Sequence, residues 1–189
     1  MKINSVRKLT IAALLIAMGV IIPMIMPKIV IGPASFTLAS HVPLFVAMFF
    51  SPNIAIAVAL GTAFGFMMTA PFIIALRALS HVVFAVIGAT YLQKHPEIIL
   101  SNKKFQSYNF IIGLIHASVE LLVVAIFFLV GNNAGATYDG NLFVFLFGFI
   151  GLGGFIHSMV DYNIAFFVMK SLSKAFDVPV FLKAKETKV

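Results

Sequence analysis

PFIIALRALSHVVFAVIGATYL, running from Pro71 to Leu92, is the stretch whose reading decides the fold. A helix needs about 20 mostly apolar residues to cross a bilayer, and this stretch supplies them. Yet Arg77 and His81 lie inside it, one helical turn apart. A charge near the middle of a spanning helix costs roughly 2.5–3.5 kcal/mol on insertion scales, so it usually turns toward a protein interior, a polar cavity or a ligand. The i, i+4 spacing puts both side chains on one face, where they can serve one polar site. The remaining sequence reads as the housing of that face.

Composition agrees. The 189 residues are 61% hydrophobic and 10% charged, whereas a soluble domain carries about 25% charged residues. Mean hydropathy is +1.09. No connection is long enough for a separate soluble domain, so residues 1–189 read as one all-α, multi-pass membrane domain. Cysteine is absent, which excludes disulfides, thiolate catalysis and cysteine-ligated metal. The net charge of +7 does not mark a nucleic-acid groove, because the lysines and arginines flank apolar segments.

Six such segments are expected: about 9–26, 36–50, 54–69, 71–92, 108–130 and 142–172. The first follows Lys2, Arg7 and Lys8 as a signal peptide would. It has no small-x-small cleavage site before Lys28, and is read as retained. Ala13 and Ala17 form a small-xxx-small pair, which by spacing alone reads as packing within the protein. Gly61 and Gly65 form a second close-packing pair. MPKIVIGPAS (26–35) and GNNAGATYDGN (131–141) read as connections able to lie over a site. Six crossings place both termini on one side. Eleven of the thirteen Lys and Arg residues then fall on that side, with Lys28 alone opposite and Arg77 between. That bias assigns both termini to the cytoplasm, because an odd number of spans would put a basic cluster on the wrong side.

The polar residues within the segments are His41, Arg77, His81, His116, Glu120, His157 and Asp161. At about 1.5 Å per residue, Arg77 lies roughly 9 Å and His81 about 15 Å below the outer end of segment 4. Glu120 is at similar depth on segment 5, and His41 is expected on the outer third of segment 2. Arg77, His41, His81 and Glu120 are therefore the candidate substrate-binding residues. Asp161 is expected lower, near the inner end of segment 6 and solvated. Each has a structural reading as well: an Arg77–Glu120 ion pair, and interhelical hydrogen bonds for the histidines. Four histidines on four segments also permit a b-type haem electron-transfer protein. No H-E-x-x-H, no G-x-S-x-G and no catalytic aspartate pair is present, so no enzyme, catalytic residue, metal site or cofactor is assigned. Nor is there a channel filter or an internal repeat, which points to a small binding subunit working with partners.

RKLTIAALLIAMGVIIP (Arg7 to Pro23) is similar to the opening of the substrate-binding S components of energy-coupling factor vitamin transporters, including the A-x-x-x-A element at Ala13 and Ala17. FTLASHVPLFVAMFFSPNIAIAVALGTAFGF (36–66) and LRALSHVVFAVIGA (76–89) look most like the niacin-specific branch. The resemblance implies a non-enzymatic subunit in the cell membrane that captures nicotinate from outside. It also implies a transmembrane coupling subunit, docked at Ala13 and Ala17, and a pair of cytoplasmic ATPases. The Gly-rich part of segment 6 and the 27–35 loop would border the ligand, the loop as gate. A carboxylate suits the fork of Arg77, the pyridine nitrogen a donor from His41 or His81, and the ring a wall such as Phe36 or Phe72. Pantothenate and folate also carry carboxylates, so another vitamin remains an alternative substrate.

Overall fold

A computed structural model describes residues 4–31, 34–130 and 140–187. Among these residues, five helices are long and apolar enough to cross a membrane: α1 (Ser5–Ile25), α3 (Pro52–Thr69), α4 (Phe72–Lys94), α5 (Asn102–Val130) and the combined Val144–Leu172 stretch. That last stretch begins as a ten-residue π-helix, Val144–Gly153, and continues as α6, Gly154–Leu172. Large apolar side chains such as Leu9, Met24, Phe64, Leu122 and Phe143 are exposed around the bundle. Outward apolar surface on this scale is what lipid, not water, stabilises. The protein is a multi-pass membrane protein.

Local signals set several helix ends. Asn4 caps α1 by accepting from the Arg7 N–H at 2.8 Å, and Ser51 Oγ caps α3 by accepting from the Ile54 N–H. The Gly61 and Gly65 pair does provide a close-packing face. A Cβ on Gly61 would meet Ile16 Cδ1 at 2.6 Å, and one on Gly19 would meet Thr62 Oγ1 at 2.5 Å. These contacts rise together along both chains, Ile16 with Gly61 and Val20 with Gly65, so α1 and α3 run parallel. By contrast, α4 and α5 are antiparallel, with Arg77 beside Glu120 and Gly88 beside Tyr108.

Segment 2 differs from the expectation. Instead of a helix over 36–50, the chain forms an antiparallel hairpin of β1 (Lys28–Ile31) and β2 (Ala34–Thr37), then a turn, then the short helix α2 (Val42–Phe50). Nine residues of helix rise only about 14 Å, less than half a bilayer core. Eight of them are buried, Val42 to Phe49, so α2 is a central element enclosed by the others. The physical reason is the turn at 38–41, where Ala39 takes a left-handed φ of 64° that a continuing helix forbids. Gly32, Pro33 and most of the 131–141 connection lie outside the described residues. After α6 the basic tail forms a short helix, α7 (Pro179–Glu186), which buries Val180 and Ala184.

Candidate functional site

The short α2 determines where the polar groups meet. Because the chain descends through the hairpin and turn, His41 starts α2 inside the bundle instead of on its outer third. Its ring lies 4.8 Å from those of His81 and His116 and 4.9 Å from that of His157, edge to face in each case. Four histidines from α2, α4, α5 and α6 thus form one cluster, against the expectation that His41 stands apart in depth. Phe84 packs against the His81 and His116 rings, and Phe45 stacks on Tyr162 below them at 4.2 Å. The polar cluster therefore sits on an aromatic floor.

Asp161 also departs from the expectation. It is completely buried, not solvated. One carboxylate oxygen accepts the Ala39 N–H at 2.9 Å, and the other accepts the His41 N–H at 2.9 Å and lies 3.2 Å from His41 Nδ1. The same oxygen is 3.4 Å from His157 Nε2, one turn earlier on α6. Ser40 Oγ bridges His41 Nδ1 and His157 Nε2 at 3.2 and 3.1 Å. Asp161 thereby holds the left-handed turn closed and fixes the start of α2. A sequence signal for this existed: His157-x-x-x-Asp161 repeats the spacing of His116-x-x-x-Glu120. Replacing Asp161 with Ala should leave two inward N–H groups without an acceptor, at about 1–3 kcal/mol each. We expect the melting temperature of Asp161→Ala in detergent to fall by roughly 10 °C, since 1 kcal/mol is worth about 2–4 °C at this size. An unchanged transition would show that the turn does not need this carboxylate.

On the facing side, Arg77 Nε donates to Glu120 Oε1 at 2.6 Å, with both side chains nearly buried. This is the ion pair the sequence allowed. Glu120 is the guanidinium's sole protein partner among the described residues, so the terminal Nη groups stay available. His81 Nε2 lies 3.9 Å from Glu120 Oε1, and His116 Nε2 lies 3.7 Å from Oε2, distances too long for hydrogen bonds. Arg77, His41, His81 and Glu120, the four residues singled out by sequence, all line one cavity between the hairpin and helices α1 to α6. Phe36 of β2 lines it too, packed on Gly153, where a Cβ would come within 2.9 Å of the ring. Phe72 is exposed instead. Ala13 and Ala17 lie elsewhere: α1 buries Ala12, Leu15 and Gly19 against the bundle, while Ala13 and Ala17 are exposed. The reading of that pair as packing within the protein is therefore corrected.

Chemically, the cavity offers a forked cation, imidazole donors and acceptors, and an aromatic wall. That combination suits a small planar anion with a ring nitrogen. Comparison with known proteins bears on the identity. No family model matches the chain, and no solved structure matches it. Over 182 residues, covering 95% of this chain and 81% of the relative, it is 50% identical to the niacin transporter NiaX of Lactococcus lactis subsp. cremoris. Identity of that extent, over nearly the whole length, means that the chain belongs to the family of the niacin transporter NiaX, the branch its 36–66 and 76–89 stretches resemble.

Proposed function

We propose that the protein is the substrate-binding subunit of an energy-coupling factor importer and that its ligand is nicotinate. The observation that carries this reading is the Arg77 guanidinium at the cavity wall, with one edge held by Glu120 and the other without a partner among the described residues, in a chain half identical to a niacin transporter. The free edge would take the nicotinate carboxylate in a forked, charge-assisted pair. His81 or His41 would meet the pyridine nitrogen, and Phe36 of the hairpin would cover the ring. Six crossings support capture from outside. The parallel course of α1 and α3 supports this reading: the intervening hairpin, turn and α2 would together make the return crossing, and both termini would then share one side with the basic clusters. Energy would come from a transmembrane coupling subunit and a cytoplasmic ATPase pair, reached through Ala13 and Ala17.

The geometry does not favour the haem alternative. Three imidazoles packed edge to face within 5 Å of the His41 ring leave no slot for a macrocycle between any two of the four. A vitamin panel against the purified chain tests the proposal. Nicotinate is expected to bind one to one and to raise the melting temperature more than pantothenate or folate does. Stabilisation by another vitamin and none by nicotinate would reassign the substrate.

A further inference from the structure

Two overlapping sets of side chains in the cluster have metal-ligand spacing: His41, His81 and His116, and His41, His157 and Asp161. They differ in what their polar atoms already do. In the second set every contact is accounted for. Asp161 caps the 39–41 turn with two backbone N–H groups, and Ser40 joins His41 to His157. In the first set they are not. His81 Nε2 and both ring nitrogens of His116 are buried without a hydrogen-bond partner among the described residues, and His116 is 1% exposed. Buried polar atoms are nearly always hydrogen-bonded or ligated, so three unsatisfied ones on adjoining rings call for an occupant.

We infer that His41, His81 and His116 form a binding site for a divalent transition metal of the zinc class, with its open position toward the cavity. The ligand atoms lie within 4.8 Å of one another and come from three different helices. Tetrahedral zinc, with metal–nitrogen bonds of about 2.0–2.1 Å, needs them roughly 3.3 Å apart, a closure of the order of 1 Å by ring rotation. Neutral imidazoles are suited to zinc, copper and nickel, and three of them with one vacant position is an arrangement zinc accepts. Glu120 lies 3.7 and 3.9 Å from two of these rings and supplies negative charge beside the ion. His41 and His81 line the same cavity as Arg77, while His116 is buried behind them, so the fourth position would open toward that cavity, where a pyridine nitrogen can complete the coordination. That last assignment rests on the nicotinate reading, but the metal site does not.

The experiment uses the full chain, purified in detergent with a tag free of histidine and stripped with a chelator. Zinc chloride titrated by calorimetry should bind at one site. His116→Ala and His81→Asn should weaken it by more than the roughly 10- to 100-fold that loss of an outer-shell partner costs. His95→Ala, on the polar connection away from the cluster, should bind as the wild type does. Two ligand variants are used so that misfolding of one leaves the test open. Zinc bound no tighter by wild type than by folded His81→Asn would overturn the site and leave water as the occupant. Cobalt should give a visible absorption spectrum that shifts on saturation with nicotinate. Nicotinate binding by the stripped chain with unchanged affinity, and no spectral shift with cobalt, would overturn the shared coordination while leaving the nicotinate reading intact. Zinc binding without any nicotinate binding would overturn the nicotinate reading, and the shared coordination with it, while the metal site stands.

Discussion

Arg77→Ala is expected to weaken nicotinate binding by roughly 10- to 100-fold, equivalent to about 1.5–3 kcal/mol for a hydrogen bond to a charged group. The loss should be selective. Nicotinamide has the same ring without the negative charge, so it lacks the group the guanidinium recognises. Wild-type protein is expected to prefer nicotinate, and the variant should bind the two compounds about equally. The complication is Glu120, only 2% exposed and dependent on Arg77 as its cationic partner. Removing one member of a buried ion pair costs about 3–5 kcal/mol of stability, because the other charge is stranded. Arg77→Ala with Glu120→Gln removes both charges and should recover most of the lost stability without recovering affinity. Titration calorimetry beside thermal unfolding separates these effects. Wild-type affinity in the folded double variant would show that Arg77 stabilises the bundle and does not touch the vitamin.

The site was partly legible because charges inside a membrane are costly and therefore conspicuous. Arg77, His81 and Glu120 stand out in apolar segments, and helical rise alone puts them at a similar level, as the Arg77–Glu120 contact between α4 and α5 has it. His41 and Asp161 could not be placed in the same way. Their positions depend on the 28–41 chain, where a hairpin and a left-handed Ala39 replace the helix that apolar composition predicts. Composition in a bilayer reports burial in lipid or protein, and α2 is apolar because it is enclosed by neighbours. The same ambiguity explains the count of five long helices where six crossings are read. Exposure of Ala13 and Ala17 was equally illegible, since a small-xxx-small pair has the same spacing whichever partner it faces. Only the packing of Ala12, Leu15 and Gly19 reveals which side of α1 is already taken.

Ala13→Trp with Ala17→Trp is expected to reduce uptake in cells to background while leaving nicotinate affinity within about 2-fold of wild type. That bound is the ±0.5 kcal/mol usual for exposed substitutions. In lipid, helices associate through close van der Waals packing and not through burial of apolar area, so small residues at the contact determine how near a partner helix can come. Ala13 and Ala17 are exposed one turn apart on α1, the turns between them and the bundle being filled by Ala12 and Leu15. Two indoles there would hold a coupling subunit away by several ångströms, at no cost to the cavity on the opposite face. Phe64→Trp, which places the same indole on the exposed side of α3, serves as the control and should transport normally. Normal uptake by the double tryptophan variant would move the docking surface off α1. Loss of uptake together with loss of binding and a lowered melting temperature would instead mean that these alanines support the fold.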